Sequence, residues 1–159
     1  MILSDKTIAD NLLSDRIGVQ PHPSSEQIQP ASLDVCLGKE LYDVTTDTLY
    51  EDGPHTIKPS HCYLAYTQEQ ITLPNDLAGH LTGRSTLGRM FVTVHQTAGW
   101  LDPGFSGTVE LEITNFDEEQ TLEVGDRIAQ VVFMPLDQPS SGYDGQYQGQ
   151  MGITEAGDI

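Results

Sequence analysis

The sequence is poor in basic residues. Its 159 residues include 7 Lys and Arg but 24 Asp and Glu, so the formal net charge is −17. This charge repels phosphate backbones and anionic membrane surfaces, and binding to nucleic acid or to a membrane through a basic face is therefore not expected. An acidic excess of this size also indicates a protein that stays soluble at high salt, where screening removes most self-repulsion. It favours a halophilic host, or a virus of one.

Cysteines and long apolar runs are scarce as well. Cys36 and Cys62 lie far apart with no second pair, which argues against a metal knuckle or a disulfide framework, and both are interpreted as small buried apolar residues. Residues 1–15 contain no basic region, and no later segment approaches the roughly 18 apolar residues of a membrane span. These absences predict a cytoplasmic protein.

The remaining pattern indicates one mainly β domain, residues 1–159. One segment has a helical period: Ser4 can cap it, it ends near Asp15, and its apolar stripe consists of Ile8, Leu12 and Leu13. Short β-type runs follow, and the predicted strands are residues 33–37, 62–67, 77–81, 90–95, 108–114 and 128–135. So many short strands imply a sandwich, a jelly roll or a small barrel.

Two segments lack the pattern of a long helix or strand. Residues 43–58 are acidic, rich in Thr and prone to turns, and are predicted to form an exposed excursion. Residues 140–159 are rich in Gly, Gln and Ser without an apolar period, which predicts a tail that is mobile until something docks it. No internal repeat and no domain linker is recognisable.

The sequence GRSTLGR at residues 83–89 could bind an oxyanion. It supplies the guanidinium groups of Arg84 and Arg89, two hydroxyls, and two glycines that let backbone N–H groups approach a ligand. It lacks the Lys of a Walker loop and is not expected to introduce a helix. The alternative is a polar turn whose arginines pair with surface carboxylates.

A strand with two carboxylates follows at residues 108–115, TVELEITN. The strand period places Val109, Leu111 and Ile113 on one face and Glu110, Glu112 and Thr114 on the other. The glutamates either lie on a solvated surface or line a cleft beside the arginines, where one could act as a general base. Periodicity leaves both interpretations open.

Residues 95–107, HQTAGWLDPGFSG, hold three further candidates. Asp102 precedes Pro and Gly at a turn, where Asp is common for its backbone hydrogen bonds alone. Trp100, the only tryptophan, is by default a core residue rather than one that stacks on a ligand. His95 ends a predicted strand and is open to several interpretations, a satisfied polar residue or a base among them.

Four blocks together resemble the dCTP deaminases. They are QIQPASLDVCLG from Gln27, GRSTLGR, HQTAGWLDPGFSGTVELEITN, and YDGQYQGQMG from Tyr143; they stand in family order and cover about half the chain. The resemblance implies the trimeric dUTPase-like fold, a distorted β-barrel or jelly roll, here with a short N-terminal helix. It also implies a homotrimer with active sites between subunits.

The resemblance assigns roles to the candidates. It implies that Glu112 activates a water for attack on C4 of cytosine, that Ser85 and Arg89 help to position this water and the base, and that Asp102 binds the deoxyribose. The implied catalytic residues are Ser85, Arg89, Asp102 and Glu112. The implied nucleotide-binding residues are Arg84, Ser85, Thr86, Leu87, Gly88, Arg89, Thr97, Ala98, Gly99, Trp100, Asp102, Glu110, Leu111, Glu112, Gln130, Tyr143, Gln146 and Gln150.

Most cytosine deaminases use zinc, but the zinc signatures H-x-E and C-x-x-C do not occur here. The resemblance implies zinc-free chemistry, with no metal held by the protein and Mg²⁺ bound through the nucleotide phosphates. Two residues depart from the family pattern: Gln146 stands where the tail motif usually has Lys, and Cys36 where an Arg is usual.

The pair Gly99 and Trp100 resembles the members that convert dCTP to dUMP, ammonia and pyrophosphate, a route that supplies dUMP for dTMP synthesis. In that interpretation Asp102 also orients the water that attacks the α-phosphorus. The alternatives are a deaminase that stops at dUTP, a dUTPase in which Glu112 is idle, and a nucleotide-binding regulator without turnover. A purely structural β protein, such as a coat protein, would not explain four blocks in family order.

Overall fold

The structure is a computed structural model that describes residues 1–154 and 156. It contains two short helices, α1 at Asp5–Leu13 and α2 at Ser85–Arg89. The strands are β1 Gly18–Gln20, β2 Ile28–Gln29, β3 Ser32–Cys36, β4 Leu41–Asp43, β5 Thr48–Tyr50, β6 His55–Ile57, β7 Cys62–Thr72, β8 Leu77–Gly83, β9 Val92–Thr93, β10 Trp100–Leu101, β11 Ser106–Asn115, β12 Gln120–Leu122 and β13 Arg127–Pro135. The predicted mainly β fold with a short N-terminal helix is confirmed.

The strands form two larger sheets and a two-stranded ribbon. One sheet has the order β5-β4-β7-β11-β9, with β1 also pairing β7; the second has the order β10-β8-β13-β3-β2; β12 pairs β6. The paired strands are antiparallel throughout. Within residues 1–154 neither sheet returns to its first strand, so the expected barrel is not closed.

A single apolar core lies between the sheets. The alternation predicted for β11 is correct, because Val109, Leu111 and Ile113 are at most 5% exposed. Val131 and Phe133 of β13 are fully buried in the same cluster. Burial of side chains of this size stabilises the fold by about 1.5–3 kcal/mol each. The opposite face of β11, with its glutamates, is thereby turned away from the core.

Helix α1 packs on this core by a narrower stripe than predicted. Ile8 and Leu12 are buried, as expected for positions four apart, but Leu13 is 78% exposed. A residue one position further along a helix is rotated by about 100°, which takes it off the face. Ser4 occupies the N-cap position without a side-chain bond to the helix backbone. The predicted end of α1 near Asp15 is correct within two residues.

The prediction of an exposed excursion at residues 43–58 is correct for most of the segment, but three of its residues are buried. This segment completes β4 and contains β5 and β6, and Asp43, His55 and Ile57 are at most 2% exposed. Asp43 can be buried because its carboxylate accepts hydrogen bonds from the backbone N–H of Thr45 and from His61 Nδ1 at 2.9 and 2.8 Å.

Two further sequence predictions need correction. The strand predicted at 90–95 is reduced to β9, because Phe91 adopts a positive φ of 54° and turns the chain out of α2. Cys36 is buried as expected, but Cys62 is exposed. Cys62 begins β7, whose residues alternate between the core and the outside, and Tyr63 takes the inward position. In the described part of the chain, no helix has the length and hydropathy needed to span a membrane.

Candidate active site

The loop after β9 fixes the carboxylate of Glu112. Glu112 Oε2 accepts hydrogen bonds from the backbone N–H groups of Gln96 at 3.0 Å and Thr97 at 3.3 Å. Two backbone donors on one oxygen are charge-assisted and hold the side chain in one orientation. This loop folds back over the outer face of β11, so Glu112 does not lie on an open surface. The expected neighbours Arg84 and Arg89 are not among its partners in the described part of the chain.

Glu112 lines a cavity of about 420 Å³. Cavities of about 300 to 1,000 Å³ are typical of sites for small molecules. The walls come from β11, from residues 95–105 and from the C-terminal tail. The predicted site residues that line it are Ala98, Trp100, Asp102, Glu110, Glu112, Tyr143 and Gln150.

Two aromatic residues of this cavity differ in their surroundings. Trp100 is 54% exposed, so the default placement in the core is wrong, and its ring lies 6.4 Å from that of His80. His95 lines the cavity with both ring nitrogens buried and without a hydrogen-bond partner among the described residues.

Gly99 permits the close approach of this loop to β8, because a Cβ there would lie 2.5 Å from the carbonyl oxygen of Leu81.

The tail supplies the remaining wall. The backbone N–H of Tyr143 donates to Pro103 O at 2.7 Å, and the Tyr143 ring packs 6.1 Å from Phe105. Gln150 is held at the backbone by Thr108, whose N–H donates to Gln150 O at 3.0 Å. Gln146, which stands where the family usually has Lys, is exposed. The predicted tail of 140–159 is docked at these points, and residues 155 and 157–159 lie outside the described part.

Arg84, Ser85 and Gln130 lie elsewhere, in a cavity of about 250 Å³ that Ser32 and Asp34 also line. Gln130 is held in place because its Nε2 donates to Gly83 O at 3.0 Å and its Oε1 accepts from Ser32 Oγ at 2.9 Å. The two cavities share no lining residue. Within the described part of one chain, the predicted site residues that line a cavity are therefore divided between two. The others line neither: Thr86, Leu87, Gly88, Arg89, Thr97, Gly99, Leu111 and Gln146.

The expectation that residues 83–89 contain no helix is wrong, since α2 occupies most of the segment. Leu87 is 7% exposed and anchors the helix to the core. The other predicted binding residues of α2, namely Ser85, Thr86, Gly88 and Arg89, are exposed. Arg84 stands at the N-cap position with an extended backbone.

Arg84 is held by a buried carboxylate rather than by a surface ion pair. Its Nε lies 3.0 Å from Asp34 Oδ2, and Arg127 Nη1 lies 3.4 Å from the same oxygen. The Asp34 side chain is only 2% exposed. Burial raises the pKa of Asp34, and the positive charges of Arg84 and Arg127 oppose this shift. Because Asp34 pairs with both arginines, loss of its carboxylate would remove the counter-charge of two guanidinium groups at once.

Comparison with known proteins identifies the family. The family described as dCTP deaminase-like matches residues 2–136. A protein of Methanosphaera stadtmanae named dCTP deaminase, dUMP-forming, is 37% identical over 178 residues, which cover 95% of this chain and 90% of the relative. The chain belongs to the dCTP deaminase-like family.

Solved structures show that this dCTP deaminase-like chain has the same fold as members of two enzyme groups. A 2′-deoxycytidine 5′-triphosphate deaminase from Agrobacterium tumefaciens matches with a TM-score of 0.74 at 21% identity, over 83% of this chain and 47% of that one. A mutant dUTPase from phage phi11 of S. aureus, whose structure describes the coordination of a structural Mg(II) ion, matches with a TM-score of 0.58 at 15% identity, over 82% of this chain and 97% of that one.

Three polar residues around the dCTP deaminase-like site were missed by the sequence analysis. Asp34 and Arg127 form the ion-pair network beneath Arg84, and Thr154 binds Glu110 at the wall of the larger cavity. The excess of acidic residues drew attention away from Asp34, which is one of 24 Asp and Glu residues in the chain. A polar residue inside an apolar strand, as in SLDVC, is the signal that could have found it.

Proposed function

We propose that this protein deaminates dCTP at C4 of cytosine and hydrolyses the triphosphate, so that the products are dUMP, ammonia and pyrophosphate. The relatives named dCTP deaminase, dUMP-forming, support this proposal. The alignment with the Methanosphaera protein covers 90% of that relative. The observation that carries it is the carboxylate of Glu112, fixed by two backbone amides in the wall of a cavity of suitable volume.

In the deamination step, Glu112 takes a proton from a water molecule whose oxygen bonds to C4. This proton passes to ring atom N3 as the double bond between C4 and N3 opens. The new hydroxyl group on the tetrahedral carbon then gives its proton through Glu112 to the departing nitrogen, so that C4=O forms and ammonia leaves. The backbone donors of Gln96 and Thr97 hold the carboxylate still during both transfers. Ser85 and Arg89 are proposed to position the water and the base.

In the hydrolytic step, the oxygen of a second water bonds to the α-phosphorus, and the bond between the α-phosphorus and the oxygen that bridges it to the β-phosphorus breaks. The bridging oxygen leaves with pyrophosphate, and the water gives up a proton to solvent. Asp102 is proposed to bind the deoxyribose and to orient this water. It is exposed at the turn after β10, where the backbone N–H of Phe105 donates to its carbonyl oxygen at 3.1 Å. Mg²⁺ bound through the phosphates, whose oxygens are ligands that it prefers, would supply charge neutralisation.

The separation of the two cavities supports an active site between copies of the chain. Arg84 and Ser85 lie in one cavity, while Asp102 and Glu112 lie in the other. In a homotrimer with cyclic symmetry, one cavity of each copy can face the other cavity of its neighbour. The triphosphate would then contact α2 of one subunit while its base and sugar contact the partner's β11 and turn.

Product analysis tests the proposal. Purified protein with Mg²⁺ in high KCl receives dCTP or dUTP, and nucleotides, ammonia and pyrophosphate are quantified. Formation of dUMP, ammonia and pyrophosphate from dCTP is expected. Accumulation of dUTP from dCTP would reduce the protein to a simple deaminase, hydrolysis of dUTP alone would make it a dUTPase, and inertness to both would favour a nucleotide-binding regulator. The cytoplasmic location, the single domain and the halophilic host stay predictions.

A further inference from the structure

The C-terminal tail runs alongside the first half of β11. Gly149 N donates to Ser106 O at 2.7 Å, and Thr108 N donates to Gln150 O at 3.0 Å. Gln150 Nε2 returns a bond to Thr108 O at 2.7 Å. The tail therefore binds the backbone edge of the strand that carries Glu112, in the manner of an added edge strand.

Gly107 allows this contact. A Cβ at Gly107 would lie 2.9 Å from the carbonyl oxygen of Gln150 and 3.2 Å from its backbone nitrogen. Real Cβ atoms do not approach backbone so closely, so a side chain at this position would push the tail away. Gly107, the last residue of the sequence DPGFSG, thus leaves the space in which the tail packs.

Towards its C-terminal end, the described tail is hydrogen-bonded to Glu110 through Thr154. Glu110 Oε2 accepts hydrogen bonds from the backbone N–H of Thr154 at 2.9 Å and from the Thr154 hydroxyl at 2.8 Å. The same hydroxyl lies 3.5 Å from Gln150 Oε1. Hydrogen bonds to an ionised acceptor are about twice as strong as those between neutral groups.

Glu110 and Glu112 lie two residues apart on one face of β11, but their partners differ. Glu112 is held by the loop at residues 96–97, which belongs to the body of the fold. Glu110 is held by the tail. Both line the larger cavity, and Thr154 lines it with them. Glu112 is therefore available for the proposed chemistry, whereas Glu110 binds the tail that forms one wall of the cavity.

We propose that Glu110 is a positioning residue that fastens the C-terminal tail across the larger cavity through Thr154, and that the nucleotide affinity of the site depends on this contact. The inference rests on the proposed function of that cavity as the nucleotide site. Fastening Thr154 adds to the bonds with Thr108 that keep Gln150 in the cavity wall. Loss of the contact frees the tail end and leaves Glu112 and its two backbone donors in place.

Hydrogen exchange measures the contact without turnover. Tail peptides of Glu110→Ala and Thr154→Val should exchange about 3- to 10-fold faster than those of the unchanged protein. Thr154→Ser, which keeps the hydroxyl, should exchange at nearly the original rate. Gly107→Ala should also speed the exchange of the tail, because the added Cβ would push Gln150 away from β11. Glu51→Ala, which removes an exposed carboxylate elsewhere, is the matched control and should change nothing.

A double-mutant cycle separates the contact from general destabilisation. If Glu110 and Thr154 act through each other, the variant with both Glu110→Ala and Thr154→Val should exchange no faster than Glu110→Ala alone, because Glu110→Ala already removes both bonds while Thr154→Val leaves the backbone bond in place. Independent, multiplying effects would overturn the proposal, and so would unchanged tail exchange in both single variants.

Kinetics with dCTP complete the test. The KM for dCTP should rise several-fold in Thr154→Val while kcat changes less, and Thr154→Ser should restore both. If the protein does not turn over dCTP but the exchange cycle shows the coupling, the contact stands and the proposed function fails. Turnover of dCTP with no coupling between the two residues, or with KM unchanged in Thr154→Val, would reject the positioning role of Glu110 alone.

Discussion

At the residue scale, the groups around each carboxylate decide what that carboxylate can do. Glu112 receives two backbone N–H groups in a cavity wall, whereas Asp34 receives two guanidinium groups under a helix. The Asp102 carboxylate stays exposed at a turn. Substitution by the matching amide removes the charge in each case and preserves most of the shape, so it isolates the chemistry of the carboxylate.

Glu112→Gln should abolish ammonia release from dCTP while nucleotide binding remains measurable. The amide cannot accept the proton, and general base catalysis contributes about 10²- to 10⁴-fold to rates. Ammonia release and equilibrium binding of dCTP are the two measurements, and Glu51→Gln is the exposed control. Deamination at the original rate in the variant would remove Glu112 from the role of base.

Asp102→Asn should suppress pyrophosphate release from dUTP by about 10²-fold or more, because the group that orients the attacking water is weakened. The stability of the protein should change little, since the side chain is exposed. Pyrophosphate release from dUTP is measured beside thermal unfolding. An unaltered rate of hydrolysis would exclude Asp102 from this step.

The two thiols should react differently. Burial, together with the neighbouring Glu69 carboxylate, raises the pKa of Cys36 to about 12, so that the thiol stays protonated and inert at neutral pH. Cys62 is exposed. Mass spectrometry after alkylation should find one labelled cysteine in the folded protein and two after denaturation. Rapid labelling of Cys36 in the folded protein would contradict its buried position.

At the element scale, short segments are stabilised by single polar anchors. Helix α2 has one turn and is anchored by Leu87 in the core, with Arg84 tied to Asp34 at its first end. The β4–β5 hairpin is anchored by Asp43, which joins it to His61 just before β7. Such short elements have little stability of their own, so their position depends on these contacts.

The Asp43 anchor predicts a dependence of stability on pH. Burial raises the pKa of Asp43, but the hydrogen bonds from His61 and the neighbouring backbone outweigh it, and the net pKa lies below the ordinary 3.8. A lowered folded-state pKa contributes stability that is present above pH 3.8 and is lost as the pH falls through the folded pKa.

Asp43→Asn should therefore destabilise the fold by about 1.5–3 kcal/mol at pH 7, because a buried charged hydrogen bond is lost. Its free energy of unfolding should fall less steeply than that of the unchanged protein below about pH 4. Denaturant unfolding at several pH values measures both effects, and Asp10→Asn on the exposed side of α1 is the control. Parallel pH profiles for the two proteins would refute the assignment.

At the scale of the whole molecule, the division of the site between two cavities makes a prediction about assembly. Arg84→Ala and Glu112→Gln should each be inactive alone, since they damage the two halves of one proposed site. In mixed trimers, sites that combine the intact Arg84 of one subunit with the intact Glu112 of another should appear, which restores about a quarter of the activity on random mixing.

The two variants are produced together or refolded together, so that subunits mix, and sedimentation verifies a trimer at working salt. Each variant refolded alone provides the baseline. A mixture that is as inactive as its parts would place the complete site within one chain. A monomer in sedimentation would contradict the shared site directly.

The local patterns of the sequence were sufficient for the fold class and for the face of β11 on which the two glutamates lie. Alternation placed Glu110 and Glu112 together on the outer face of β11, and the helical period located α1, because both depend only on neighbours along the chain. The family resemblance, carried by residues in fixed order, was sufficient for the mainly β architecture, which the relatives and solved structures confirm.

Contacts between distant segments could not be read from those patterns. The burial of Asp43, the pairing of Arg84 with Asp34 and the grip of Thr154 on Glu110 join residues that are about 20 to 50 positions apart. The exposure of Trp100 and Cys62 likewise depends on what packs beside them. The tertiary structure alone decides such features, because the cost of burying a polar group depends on partners that folding brings from elsewhere.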